Sequence, residues 1–165
     1  MADTRSEVNT EVIEATTEEE IRVCLFRIGE DSYAIPVEVL TEIIITQKLF
    51  PVPTTPGHVL GVINLRGNII PIVDIRPVLA LPQQNTSGQI AILKHNQILL
   101  GIVVDAVVEV ASVPKSRFLE IPPEHAMQQQ AGKTRNRFLR SIIQRESGVA
   151  ALLDINKVFD AIMIA

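Results

Sequence analysis

Aromatic residues and cysteine are scarce in this sequence. Its 165 residues include no tryptophan, one tyrosine and a single cysteine, Cys24, which cannot form an internal disulfide. Cys24 lies in an apolar run, so we expect a small core residue in a reducing compartment. No apolar run reaches the roughly 20 residues of a membrane-spanning helix, and the N-terminus lacks the apolar region of a signal peptide. We therefore expect a cytoplasmic protein that is not inserted into a membrane.

Residues that could carry catalysis or hold a metal are also few. The histidines His58, His95 and His125 have no cysteine or carboxylate at metal-ligand spacing, which favours surface histidines over a metal site. Cys24 has no local activating partner, and no glycine-rich loop precedes a helix that could hold a phosphate. The sequence thus predicts a protein that is not an enzyme and uses no cofactor.

Charged residues are unevenly distributed along the chain. Residues 1–20 contain seven acidic side chains against Arg5 alone, and this segment without aromatic residues is predicted to be a disordered acidic tail. Residues 115–145 contain seven basic side chains but no nucleic-acid-binding motif. We interpret this stretch as a solvated basic surface and expect no nucleic-acid partner.

The rest of the chain contains an internal duplication. Two pairs of segments match at offsets of 67 and 80, namely 24–43 with 91–110 and 61–79 with 141–159. Apolar and acidic positions recur together, and the order within each half is the same. We therefore predict a folded region, residues 21–165, made of two similar subdomains that are intertwined or packed on each other, approximately residues 21–88 and 89–165.

The apolar runs predict β-structure. They are short, rich in Val and Ile, and separated by turn residues. The run 69–73 does not alternate with polar residues, which indicates burial on both faces, as in a closed barrel packed on a second barrel. Residues 37–44 fit a short helix, and Asp154 or Asn156 could cap a C-terminal one. That C-terminal helix is predicted from apolar residues at helical spacing: Val158, Phe159, Ile162 and Met163.

One cation stands out against this apolar background. Arg66 and Gly67 lie at a predicted tight turn between two β-forming runs. The second half has Glu146 where the first has Arg66, although both halves need the same fold. Folding alone is therefore not predicted to require Arg66, and a contact with a partner is favoured over a solvated loop residue.

The carboxylates recur between the halves as well. Asp74 and Asp154 both follow a predicted strand, which suggests a structural role such as accepting backbone N–H bonds or capping. Glu38 and Glu42 are repeated by Asp105 and Glu109. A scaffold role explains this repetition best, and a small enzyme that uses Glu38 and Asp105 remains the alternative.

The motifs resemble the CheW-like domain, the adaptor of bacterial chemosensory arrays, from about residue 21 to residue 159. The resemblance is carried by DSYAI at 31–35, GVINLRG at 61–67, IPIVDIR at 70–76, GIVVD at 101–105 and LLDI at 152–155. It implies a mainly β fold of two packed five-stranded β-barrels. It also implies a non-catalytic function, in which the protein couples methyl-accepting receptors to a CheA-type histidine kinase. An adaptor of a type IV pilus pathway would have the same motifs, so that alternative stays open.

The resemblance also implies where partners bind. Contacts with the cytoplasmic tip of the receptor are expected at Glu42, Gly61, Asn64, Leu65, Arg66 and Gly67. Binding to the regulatory domain of the kinase is expected on an apolar barrel edge, which we assign to Ile90 and Ile92. Other CheW-like domains are expected as neighbours in array rings. The acidic tail and the basic stretch 115–145 depart from the family pattern.

Overall fold

The structure is a computed structural model that describes residues 18–53, 58–82, 88–121 and 136–164. Its described part contains eleven strands, two 3₁₀ turns and one helix. The strands of the first half are β1 (Glu20–Ile28), β2 (Asp31–Pro36), β3 (Leu40–Ile45), β4 (Val59–Leu65) and β5 (Asn68–Val73). Those of the second half are β6 (Gln89–His95), β7 (Ile98–Val104), β8 (Ala106–Pro114), β9 (Phe118–Leu119), β10 (Leu139–Arg145) and β11 (Gly148–Leu153). The 3₁₀ turns span Val37–Val39 and Lys115–Arg117, and helix α1 spans Ile155–Ile164.

The strands form two sheets, which confirms the mainly β fold. One sheet has six strands in the order β8-β1-β2-β11-β10-β9, and the other has five in the order β3-β6-β7-β5-β4. Neither sheet is a closed barrel, so that prediction is only approximate. In each sheet the two edge strands are consecutive in the chain, and Phe50 bridges to Val62 across the gap in the smaller sheet. We call this gap between the edge strands of a sheet its seam.

The duplication is visible in the strands, but the halves are not separate units. β10 and β11 have the bounds of β4 and β5 shifted by 80 residues, as the sequence match predicts. The hairpin β1–β2 belongs to the sheet that holds β8–β11, whereas β6–β7 belongs to the sheet that holds β3–β5. Parallel pairs join the exchanged hairpins to their sheets, β2 with β11 and β5 with β7. The predicted division near residue 88 therefore does not separate the two sheets.

Burial on both faces explains the continuous apolar runs. One cluster joins both sheets and the helix, with Phe26, Ile102 and Phe159 among its members. A second cluster is made by the six-stranded sheet alone and a third by the five-stranded sheet alone. Strands between two such clusters have no solvent face, which is why polar residues do not alternate along them.

Three local predictions have different outcomes. The C-terminal helix is confirmed, and Val158 and Phe159 are buried. Its cap is Asp154, whose Oδ1 accepts the N–H of Lys157 at 3.2 Å. The helix predicted at residues 37–44 is wrong beyond the turn Val37–Val39, because the following residues pair with β6 as strand β3.

The predicted tail overlaps the fold at its C-terminal end. Strand β1 begins at Glu20, and the two preceding residues contact the 3₁₀ turn Lys115–Arg117. Residues 1–17, for which disorder is predicted, lie outside the described residues.

A buried ion cluster fixes the start of the segment after β5. The Arg76 side chain is 1% exposed, and it donates to Asp74 at 3.3 Å and to Asp105 at 2.6 Å. Asp74 also accepts the backbone N–H of Arg76, and Asp105 accepts that of Gly29. The structural role predicted for Asp74 is therefore confirmed, and Arg76 is a participant that the sequence reasoning missed.

Candidate functional site

The hairpin between β4 and β5 has a two-residue turn whose tip is Arg66 and Gly67. Leu65 pairs with Asn68, and both tip residues have positive φ, 51° at Arg66 and 86° at Gly67. Asn64 supports the turn, since its Oδ1 accepts the N–H of Gly67 at 2.9 Å. Such turns prefer Asn, Asp or Gly at both central positions, and L-residues with longer side chains are strained there. The turn alone therefore gives no reason for an arginine.

Arg66 connects the hairpin to the other edge of the same sheet. Its Nη2 forms an ion pair with Glu42 on β3, so the pair crosses the seam of the five-stranded sheet. The Arg66 side chain is 68% exposed, whereas that of Glu42 is 29% exposed. Exposed ion pairs contribute only about 0–1 kcal/mol to folding. Because a guanidinium group has several N–H donors, Arg66 keeps donors that a partner could use.

The six predicted receptor-binding residues divide into two groups. Glu42, Asn64, Arg66 and Gly67 meet at the hairpin tip and the strand facing it. Leu65 is partly buried against the isoleucine cluster of the five-stranded sheet, so it has a packing role as well. Gly61 lies lower on β4, where a Cβ would come within 2.8 Å of the Phe50 carbonyl oxygen. Its glycine is thus explained by the close approach of the chain at Phe50.

The exposed apolar edge predicted at Ile90 and Ile92 is wrong. Both side chains are 0% exposed, and β6 lies between β3 and β7 inside the five-stranded sheet. Apolar side chains are exposed instead along the edges of that sheet, at Ile45 (78%), Phe50 (53%), Val52 (40%) and Leu60 (40%). Local sequence patterns do not mark this edge, because the order of the strands in the sheet decides which apolar strand lies at an edge.

The groups considered for catalysis have structural positions. Glu38 is exposed in a 3₁₀ turn, whereas both oxygens of Asp105 are engaged in the buried ion cluster. Cys24 is fully buried, and burial raises the pKa of its thiol, which disfavours the nucleophilic thiolate. Within the described ranges, no group of three or more His, Cys, Asp or Glu residues is placed to hold a metal ion.

Two of the histidines differ from the surface positions predicted for them. His58 and His95 are half-buried, and the ring of His95 packs edge-on against Phe159 at 5.3 Å. The nitrogen Nε2 of His58 lies 3.4 Å from the carbonyl oxygen of Ile162. Both rings thus contact helix α1, and His125 lies outside the described residues.

In the part of the chain that the structure covers, no helix is both long and apolar enough to span a membrane.

The second half also contains an arginine–glutamate ion pair, but its arginine stands at a different position of the hairpin. Arg145 pairs with Glu109, which matches Glu42 at the offset of 67, and this pair crosses towards the edge strand β8 of the six-stranded sheet. Arg145 stands one position before the counterpart of Arg66, which is Glu146. The interpretation that the second half replaces the cation by an acid is therefore incomplete, because both halves hold an arginine to a glutamate.

Comparisons with known proteins agree with this architecture. The solved structure of the scaffolding protein TtCheW from Thermoanaerobacter tengcongensis matches with a TM-score of 0.74 at 23% identity, over 86% of this chain and 94% of that one. The chemotaxis protein CheW of Bacillus subtilis is 30% identical over 84% of this chain and 86% of its own length. The chemotaxis protein CheW of Helicobacter pylori is 33% identical over 64% of this chain and 65% of its own length.

The fold and the arginine-tipped hairpin define a mainly β protein that presents an exposed cation at the tip of one hairpin. The profile of the CheW-like domain matches residues 22–163, nearly the whole described chain. The chain belongs to the CheW-like domain family.

Proposed function

We propose that the protein is a non-catalytic adaptor, which couples methyl-accepting chemoreceptors to a CheA-type histidine kinase in the cytoplasm. The observation that carries the receptor half of this proposal is the exposure of Arg66, 68% of its side chain, at the tip of a turn that does not need it. The names of the relatives, chemotaxis proteins and a scaffolding protein, support the same class of function.

The receptor surface consists of the hairpin tip and Glu42. A guanidinium group can donate several hydrogen bonds to carboxylates or carbonyl oxygens of a helical hairpin. Glu42 orients Arg66 from one side and leaves the other side of the guanidinium in solvent. Partner residues can then bind without breaking the fold, since the pair itself adds little to stability.

The Arg66→Glu variant tests this surface, with Arg145→Glu as its matched control. We expect Arg66→Glu to lose binding to a receptor cytoplasmic fragment in a pull-down assay, because the substitution removes the donors and repels Glu42. Arg145→Glu makes the same charge change at the other ion pair and should leave receptor binding unchanged. Equal losses in both variants, or unchanged binding in Arg66→Glu, would contradict the assignment.

The kinase surface is proposed at the exposed edge of the five-stranded sheet. Its apolar side chains are Ile45, Phe50, Val52 and Leu60. Exposed apolar groups along the edge of a sheet suit association with another β domain. Phe50→Ser should weaken co-purification of the kinase, whereas Ile69→Ser, at another exposed position (64%), should not.

The pathway is proposed to be chemotaxis, because the similar proteins cited above are named chemotaxis proteins. A type IV pilus pathway would use the same two surfaces. Identifying by mass spectrometry the kinase and receptor that co-purify with the full chain distinguishes the two pathways.

A further inference from the structure

A cavity lies beside the second hairpin, on the six-stranded sheet. Its volume is about 300 Å³. It is lined by the end of β8, by Arg117 and by the hairpin residues Gln144, Arg145, Glu146 and Ser147. None of these residues has a role in the proposed receptor or kinase surfaces, so the cavity is without an assigned occupant.

The first described residues of the chain are already attached to the rim of this cavity. Glu18 Oε1 accepts the backbone N–H of Ser116 at 2.8 Å. Glu19 Oε2 pairs with Lys115 Nζ at 2.8 Å, and its carbonyl oxygen accepts the Lys115 N–H at 3.0 Å. Residues 18 and 19 are therefore held against Lys115 and Ser116, the residues that precede Arg117 in the chain.

The charges favour an acidic occupant on this side of the cavity. In the described part of the chain, no acidic side chain pairs with the exposed Arg117. Arg145 also lines the cavity, although Glu109 holds it, and Glu146 contributes the opposite charge on the hairpin side. An acidic segment should therefore lie towards Arg117 and away from Glu146.

We infer that the acidic N-terminal segment of the chain, residues 1–17, docks into this cavity beside Arg117. The segment carries Asp3, Glu7, Glu11 and Glu14 against Arg5, a net charge of −3 from four acids and one base. Glu14 is four residues before Glu18, and an extended chain spans roughly 3.5 Å per residue. Glu14 can thus reach Arg117, and Val12 and Ile13 supply apolar groups for the cavity wall at Val113 and Pro114.

Docking would distinguish the two hairpins functionally. The segment would cover the surface beside the second hairpin, and the first hairpin would remain the accessible one. This inference does not depend on the receptor assignment, since it concerns the opposite sheet and an intramolecular contact.

Paramagnetic relaxation enhancement in the full chain tests the inference. Cys24 is fully buried, so a nitroxide reagent should label the variant Thr10→Cys at the new thiol alone. We expect the amide signals of Gln144 and Ser147 to lose most of their intensity, whereas those of Asn64 and Gly67 at the first hairpin keep theirs. Absence of broadening at the second hairpin would overturn the inference.

Charge variants separate docking from simple tethering. In the labelled chain, Glu11→Gln with Glu14→Gln should restore most of the lost intensity, and Arg117→Glu should do the same. Arg140→Glu, an exposed position on β10 outside the cavity, is the matched control and should leave the broadening unchanged. The glutamine variant alters no described residue, so it remains decisive if Arg117→Glu affects folding. Broadening that persists in the charge variants would mean a tether without docking and would overturn the inference.

Discussion

Each of the two hairpins contains an arginine that pairs with a glutamate, and the two ion pairs differ in which partner is exposed. At the first hairpin the cation is the exposed partner, with Arg66 at 68% and Glu42 at 29%. At the second, Arg145 is 28% exposed and Glu109 is 46% exposed. The backbone differs too, because Arg66 is a tip residue with φ of 51°, whereas Arg145 is still paired in β10 with Gly148.

This difference shows what the duplication fixes and what it leaves free. An arginine bonded to a glutamate near the seam recurs in both sheets, so the pair itself belongs to the duplicated scaffold. The position of the arginine at the tip occurs in the first half alone. The two hairpins therefore differ in the presentation of a cation to solvent, and not in the presence of an ion pair.

The same comparison holds for the aspartates that follow β5 and β11. Asp74 belongs to a buried cluster with Arg76, while Asp154 caps the exposed start of α1. The residue that matches Arg76 at the offset of 80 is Asn156, inside the helix. The first half thus has a buried cation where the second half has Asn156.

Arg76→Met should have the largest effect on stability. Removal of the guanidinium leaves two acidic side chains facing each other with little solvent, and losing one partner of a buried ion pair costs about 3–5 kcal/mol. We expect a decrease of that size in the free energy of unfolding, measured by urea denaturation. Asp154→Ala, at the counterpart of Asp74, should cost about 1 kcal/mol through the lost cap. Equal losses in Arg76→Met and Asp154→Ala would show that the buried ion cluster stabilises the fold no more than the helix cap does.

Gly101→Ala should have the next largest effect. Gly101 is paired with Ile72, and a Cβ would lie 2.4 Å from Ile72 Cδ1 and 2.9 Å from Ile90 Cγ2. The duplicated position is Ala34, which is paired with Leu152. The six-stranded sheet therefore accepts a methyl group at a position where the five-stranded sheet does not. Overpacking of this kind costs about 1–3 kcal/mol in the free energy of unfolding.

A double variant checks the cause of that loss. Ile72→Val removes Cδ1, so Gly101→Ala combined with Ile72→Val should lose less than the sum of the two single losses. Additive losses would indicate that the contact with Ile72 is not what excludes a side chain at Gly101.

The sequence was sufficient for features that depend on local pattern. Spacing was enough to predict the duplication, the strand-rich halves and the C-terminal helix. Residues that tolerate positive φ, such as Gly67, were enough to predict the turn beside Arg66. Intertwined subdomains were one of two open alternatives, but which hairpins are exchanged between the sheets could not be predicted, because that depends on parallel pairings such as Ile72 with Gly101. The error at Ile90 and Ile92 has the same origin, since strand order decides which apolar strand is an edge.

Arg145 shows a further limit of alignment. Residue matching placed Glu146 opposite Arg66 and suggested that the charge was reversed. A shift of one residue along β10 brings Arg145 to Glu109 instead, because long side chains can reach the same carboxylate from neighbouring positions. Matching by position therefore detects the duplicated backbone better than it detects the contacts made by long side chains.

Exchanging the charges of the first ion pair should have the smallest effect on stability and the most informative effect on binding. Glu42→Arg combined with Arg66→Glu keeps an ion pair at the seam. Because exposed pairs contribute about 0–1 kcal/mol, the free energy of unfolding should change by no more than that amount. If the pair were only structural, receptor binding would be restored relative to Arg66→Glu alone. We expect no restoration in the pull-down assay, because the exposed tip would then present a carboxylate to a partner that needs the guanidinium. The same exchange at Glu109 and Arg145 should leave both stability and receptor binding unchanged, which would confine the role of the cation to the first hairpin.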